Sequence, residues 1–207
     1  NGQYTVGLDE DPVFVVGTEG AVKVETSMAI DASDSTLFHM KSCAVMPEGT
    51  VKCWSQPYVN TQYYSMTRYA PSDYAAPVIP VQNDVLADPV HTLAGFEQVI
   101  DIRMGYGSDN LCALRSDGQI QCQGTNEYGQ LGDGTTIGSS VPVFVSGINT
   151  AVSLSFNGLS ACAVLADGSA KCWGKNNEGD FLENGGLEYS STAVVIANNM
   201  PPKLKSN

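Results

Sequence analysis

The stretch Cys112-Ala-Leu-Arg-Ser-Asp-Gly-Gln-Ile-Gln-Cys122 decides the reading of this chain, because it occurs three times in variant form. Its relatives are Cys43-Ala-Val-Met-Pro-Glu-Gly-Thr-Val-Lys-Cys53 and Cys162-Ala-Val-Leu-Ala-Asp-Gly-Ser-Ala-Lys-Cys172. Each holds nine residues between two cysteines, with an acid followed by glycine in the middle. A three-residue loop centred on the acid, such as Ser116-Asp117-Gly118, places glycine third. That is the left-handed position of a bulged hairpin turn, where glycine is least strained. The same register sets Cys112 directly across from Cys122. Directly opposed residues on antiparallel strands lie roughly 4.5–5.5 Å apart at Cα, within disulfide reach. A two-residue Asp-Gly loop would put the two cysteines on opposite faces. The spacing therefore predicts Cys43–Cys53, Cys112–Cys122 and Cys162–Cys172, with no cysteine left over.

Alternation agrees with that hairpin. Cys112, Leu114, Ile120 and Cys122 fall on one face, and Ala113, Arg115, Gln119 and Gln121 on the other. A metal site is the competing reading of the six cysteines. It lacks short Cys-x2-Cys spacing, and the chain has 2 histidines to help. Three disulfides imply an oxidising compartment, so the expected location is extracellular or at the cell surface.

The bulk properties fit a β domain. The chain has 207 residues, 43% hydrophobic and 15% charged, enough for one large domain with a real core. Its 21 glycines, scattered with Asn, Asp and Ser, suggest many turns, and no long amphipathic helical pattern is present. A formal net charge of −12 disfavours a phosphate backbone as partner, and the basic tail of Lys203 and Lys205 is too small to offset it. Solubility is the simplest reading of that acidity. No apolar run approaches the roughly 18 residues of a membrane span. The chain starts at Asn1 without a signal-peptide pattern, as a processed segment would.

A second element follows each hairpin. Gly129-Gln-Leu-Gly-Asp-Gly-Thr-Thr136 leads to Pro142-Val-Phe-Val-Ser-Gly147, and Gly2-Gln3-Tyr4 leads to Pro12-Val-Phe-Val-Val-Gly17. Pro89-Val-His-Thr-Leu-Ala-Gly95 and Thr192-Ala-Val-Val-Ile-Ala197 are weaker copies. Cys122 to Pro142 and Cys172 to Thr192 are both 20 residues, whereas Cys53 to Pro89 is 36, so the first unit carries an insertion of 16 residues.

With Asn126-x-x-Gly-Gln-Leu-Gly-Asp-Gly-Thr135 after the cysteine hairpin, the chain resembles the regulator-of-chromosome-condensation repeat, and more closely its cysteine-paired extracellular form. The resemblance is strong over 99–183, good at 42–54 and partial elsewhere. Cys112 to Cys162 is 50 residues, matching the length of that family's repeat. The resemblance implies an all-β fold in which each repeat is one four-stranded blade of a β-propeller. It makes the Gly-rich segment tight-turn chemistry; the lysine and helix of a phosphate loop are missing. His39, just before a hairpin, sits near the place where such repeats carry a blade-packing histidine.

The chain departs from the family in blade number. The expected organisation is a single propeller-repeat domain over 1–207. It comprises a partial repeat at 1–17, repeat 1 at about 27–95 with its insertion at 55–88, repeat 2 at about 96–147, repeat 3 at about 148–197 and a tail at 198–207. About three and a half blades cannot readily close alone, since propellers have about four to eight. Either residues 1–17 return to complete the last blade, or a neighbouring subunit completes the assembly through unpaired edges.

Chemistry is sparse. No Gly-x-Ser-x-Gly or His-Glu-x-x-His segment exists, no free cysteine remains, and structural roles are expected for His39 and His91. Asp9, Glu10 and Asp11, or Asp31 and Asp34, do not match the alternating ligands of a calcium loop. No catalytic residue, cofactor or metal site is therefore assigned. Trp54 and Trp173 read as packing residues. Residues 55–88 hold Tyr58, Tyr63, Tyr64, Tyr69 and Tyr74, five of the 9 tyrosines, a composition suited to a recognition surface as well as to a loop covering an open edge.

The expected function is a non-enzymatic extracellular assembly subunit that self-associates through blade edges into a fibre or ring, as a homo-oligomer or filament. The alternative is a lectin-like or inhibitor-like propeller that binds a glycan or surface protein through the tyrosine-rich insertion. Nucleotide exchange on a small GTPase, the activity of the family's namesake, sits poorly with disulfides and an acidic surface. An enzyme is disfavoured by the missing constellations.

Overall fold

The computed structural model describes residues 17–30, 37–55, 59–60, 88–106, 109–176 and 188–197. Everything it describes is strand, turn or loop. The first sheet contains β1 (Lys23–Ile30), β2 (Leu37–Val45), β3 (Val51–Ser55) and β5 (Asp88–Thr92) in that order, with the short β4 (Val59–Asn60) paired to β2. The second runs β6 (Val99–Met104), β7 (Leu111–Arg115), β8 (Ile120–Gly124), β9 (Ser139–Phe144). The third runs β10 (Ala151–Phe156), β11 (Ser160–Leu165), β12 (Ala170–Lys175), β13 (Tyr189–Ala197). Each is an antiparallel meander, that is, one blade, and they are called blades 1, 2 and 3 below.

The cysteine hairpins have the register that their spacing requires. Cys43 pairs with Cys53, Cys112 with Cys122 and Cys162 with Cys172 as direct cross-strand partners. All three pairs are disulfide-bonded, each with a Cα separation of 4.1 Å. In the second hairpin the Arg115 amide donates to the Gln119 carbonyl at 2.9 Å, and the Gly118 amide donates to the Arg115 carbonyl at 3.0 Å. That leaves the three-residue loop Ser116–Gly118, with Gly118 at φ +79°. Gly49 and Gly168 both stand at +82° in the matching turns.

Alternation holds, but its meaning differs from an inside and an outside. Ala113 and Gln121, on the face opposite the disulfide, are as deeply buried as Cys112 and Cys122. The reason is that blade 2 has a blade against each face. Its Cys112, Leu114, Ile120 and Cys122 pack into a core with Ala151, Leu154, Ala163 and Trp173 of blade 3. Its Val99, Ile102, Leu111 and Ala113 pack with Cys43, Val45, Val51 and Cys53 of blade 1. The disulfide face of one blade is thus always laid on the opposite face of the next.

Hairpin turns brace the same seams. The Val99 amide donates to the Gly49 carbonyl, and the Ala151 amide donates to the Gly118 carbonyl, each at 2.9 Å. A Cβ on Gly118 would lie 2.9 Å from both the Asn149 carbonyl oxygen and the Thr150 Cα, so glycine is required by close approach as well as by φ.

The fourth strand of the last blade is supplied from within the repeat. Cys172 is opposed by Val194 and Lys171 by Val195, so the edge of β12 is occupied by β13. Return of residues 1–17 to that edge would have to displace β13. Residues 1–16 themselves lie outside the described set.

Candidate interaction surface

The seam between blades 2 and 3 shows what a completed junction needs. The loop after β8 carries the Gly-rich turn, and Asn126 is its clamp. The Asn126 side-chain amide donates to the Thr135 and Ile137 carbonyls at 3.1 and 3.2 Å, and its Oδ1 accepts the Leu131 amide at 2.9 Å. The clamp drives Leu131 into the seam, where it is fully buried with Val145 from the end of the same segment. Trp173 of blade 3 lies across the turn, and its Nε1 donates to the Gln130 carbonyl at 3.1 Å. A Cβ on Gly132 would come within 2.8 Å of that indole, so the turn can sit this close only with glycine there. Asn110 ties the two ends of blade 2's central hairpin by exchanging hydrogen bonds with Thr125 at 2.9 Å. Asn110 and Gln130 did not stand out in the sequence. Asn126 and Gln130 are legible only as letters of the repeat motif.

The last blade offers the corresponding face without such a cover among the described residues. Ile196 follows the residue that opposes Lys171 as Val145 follows the one that opposes Gln121, but a register shift at this point of blade 3 sets Ala197 opposite Ala170, so Ile196 stands in a bulge. Val145 is 3% exposed and Ile196 is 42% exposed. Cys162, Val164 and Gly168 are each partly exposed, whereas their counterparts Cys112, Leu114 and Gly118 are buried. Val195 and Tyr189 are also exposed on β13, but they oppose Lys171 and Lys175 and so belong to the other face. The disulfide face of blade 3 is built like the other two and is left partly open.

The innermost strands carry a charge cluster that sequence reading missed. Lys23 forms an ion pair with Asp101 across the seam from blade 1 to blade 2, and Arg103 Nη1 reaches Glu25 at 3.1 Å and Asp101 at 2.7 Å. Burial, and then the Asp101 charge, push Glu25 above the usual carboxylate range. Ser153 and Ser155 take the matching places in blade 3, so the cluster is confined to one seam. Its ion pairs tie blade 1 to blade 2.

The other predicted residues are placed as follows. Trp54 and Trp173 are buried, as packing residues should be. His91 sits in β5 opposite Cys53 and is partly buried. His39 lies within β2, opposite Ala29. Tyr58, Tyr63, Tyr64, Tyr69 and Tyr74 fall outside the described residues, as do Asp9, Glu10, Asp11, Asp31 and Asp34. Among the described residues no group of three or more His, Cys, Asp or Glu could hold a metal ion. No described helix is long and apolar enough to cross a membrane.

No family model and no curated protein matches the sequence. Solved structures do match the fold. Human WBSCR16 superposes with a TM-score of 0.53 at 20% identity, over 77% of this chain and 37% of that one. Yeast RCC1 (Prp20), in its complex with Kap60, gives 0.50 at 17% identity, over 79% of this chain and 34% of that one. Prp20p from Saccharomyces cerevisiae, described with its binding to Gsp1p and histones, gives 0.51 at 15% identity, over 76% and 36%. This chain therefore spans little more than a third of the structures it resembles. Three disulfide-stapled, four-stranded blades in series, each seated on the next through the same pair of faces, give this chain the RCC1-like repeat fold, as part of a β-propeller.

Proposed function

We propose that this chain is a non-enzymatic, extracellular interaction module that pairs with a second copy of itself through the disulfide face of blade 3. The observation that carries the reading is the contrast between two disulfide faces: Cys112, Leu114 and Gly118 are buried in blade 2, whereas Cys162, Val164 and Gly168 are partly exposed in blade 3, beside the exposed Ile196. Burying an aliphatic side chain is worth about 1.5–3 kcal/mol, and a seam buries several. A fibre or ring needs two different open faces. The face of blade 1 that would complete such a chain is already buried, at Ala44 and Trp54. The favoured assembly is therefore a two-fold pair of last blades, in which the same patch serves both partners.

The three disulfides support an oxidising, extracellular setting. Protein rather than small-molecule partners are supported by the neighbouring folds, since Prp20 is described bound to Kap60 and binding Gsp1p and histones.

Light scattering on the purified chain, before and after Ile196→Asp, tests the proposal. Association that Ile196→Asp abolishes is the expected outcome, and a monomer near 21.9 kDa at every concentration would overturn it. The second reading, glycan or protein capture by the tyrosine-rich insertion, predicts that Tyr63→Ala with Tyr64→Ala weakens binding on a glycan array or to cell-surface extracts. Unchanged binding would remove that reading.

A further inference from the structure

The three disulfides of this chain differ in access rather than in geometry. Each joins directly opposed cross-strand partners, 10 residues apart in sequence and 4.1 Å apart at Cα. Geometry therefore does not rank them, and burial does. Cys43, Cys53, Cys112, Cys122 and Cys172 are 0% exposed, whereas Cys162 is partly exposed.

Blade order explains the difference. Cys43 and Cys53 lie in the core shared with blade 2, and Cys112 and Cys122 in the core shared with blade 3. Cys162 and Cys172 belong to neither core. No described blade follows blade 3, so its disulfide lacks the cover that the other two receive.

The surroundings of Cys162 are also uncharged. Ser155, Cys162, Cys172 and Val194 are successive cross-strand partners, and Ser153, Val164 and Ala170 form the next row. Ser153 and Ser155 are exposed, and Val164 is partly exposed. None of these side chains carries a charge. The species that attacks a disulfide is a thiolate, an anion, and the whole chain carries a net charge of −12. A neutral approach spares the attacker local repulsion.

From this we infer that Cys162–Cys172 is a thiol-exchange site, capped reversibly at Cys162 by a low-molecular-weight thiol of the glutathione class, while the other two disulfides are inert staples. The thiolate of the small molecule attacks the Cys162 sulfur. A new S–S bond forms there as the Cys162–Cys172 bond breaks, and the electron pair leaves on Cys172 Sγ, which takes a proton from water. The products are a mixed disulfide at Cys162 and a thiol at Cys172. Burial of Cys172 sets which sulfur is attacked. In the reverse step the Cys172 thiolate, directly across the ladder, displaces the small thiol and re-forms the protein disulfide. The cap stands on the disulfide face of blade 3. Pairing through that face would cover Cys162, so exchange belongs to the unpaired chain.

The test is a timed reaction of the folded, fully oxidised chain with reduced glutathione, stopped by alkylation and mapped by mass spectrometry without reduction. The expected result is glutathione on Cys162 and the alkyl label on Cys172. Loss of the Cys162–Cys172 bond should be at least about tenfold faster than loss of either other disulfide, because those two react only when a seam opens. Equal rates for all three, earlier loss of Cys43–Cys53 or Cys112–Cys122, or glutathione found on Cys172 would overturn the inference. The wild-type chain suffices for this comparison, so no variant has to fold. The same time course in Ile196→Asp separates the inference from the pairing proposed above. Pairing slows the wild-type reaction as protein concentration rises and leaves the variant unaffected. A wild-type rate that is independent of concentration, with Cys162–Cys172 still fastest, removes the pairing and supports the exchange site.

Discussion

At the residue scale the hairpin turns explain why an acid precedes each glycine. Asp117 accepts from Arg115, Asp167 from the Ser169 hydroxyl and amide, and Glu48 from the Thr50 hydroxyl. Those hydrogen bonds hold all three carboxyls below the usual carboxylate range. The sign of the consequence follows. A carboxyl whose folded pKa is depressed contributes stability above its unfolded value and loses it as pH falls through the folded one. Acid unfolding followed by circular dichroism should therefore steepen below about pH 4, and Asp117→Asn with Asp167→Asn should flatten that limb. An unchanged limb would show that the turn acids are bystanders. These acids were legible as the centre of each motif. Asn110 was not, because its value lies in reaching Thr125, 15 residues away, a pairing that only the folded blade creates.

At the scale of the element, each hairpin is fixed twice, by its disulfide and by its turn. Replacing Cys112 and Cys122 together by Ser should cost about 2–4 kcal/mol in denaturant unfolding, since the closed loop is short. A loss well under 1 kcal/mol would mean that the seam alone holds the strands in register. Glycine separates a local demand from a demand of the neighbouring blade. Gly118 and Gly168 have nearly the same positive φ, so alanine at either position should cost about 1–2 kcal/mol for conformation. Gly118→Ala must in addition push Cβ against the Thr150 backbone, and Gly168 is partly exposed. Gly118→Ala should therefore be clearly the worse of the two in thermal unfolding, and equal losses would contradict the seam described above. Hairpin register, turn length and cysteine pairing were readable because period-two alternation and loop length determine them locally. The burial of Gln121 was not readable. Polarity signals solvent in a lone sheet, but in a blade between two others both faces are interior.

At the scale of the whole molecule, blade order and seam polarity follow from one rule applied twice: a disulfide face receives the opposite face of the next blade. The repeat spacing announced the blades, and strand exchange at the last blade seemed open from sequence because nothing local says which strand wins an edge. In the structure β13 wins it, with Val194 against Cys172. β13 then becomes the outer edge of its sheet, beside a disulfide face that is partly open. The five tyrosines of the insertion lie outside the described residues, so their role stands as the sequence presents it. The Lys23, Glu25, Asp101 and Arg103 cluster was invisible beforehand because its members lie 78 residues apart and meet only when two innermost strands lie side by side.

The central claim is that the disulfide face of blade 3 is a docking face, and its most direct test is the native mass of the purified chain by light scattering across concentration, wild type beside Ile196→Asp. The account predicts association in the wild type, at twice the 21.9 kDa chain mass if the pair is two-fold, and a folded monomer for Ile196→Asp. A wild-type chain that stays monomeric throughout, or a variant that associates equally well, would contradict it.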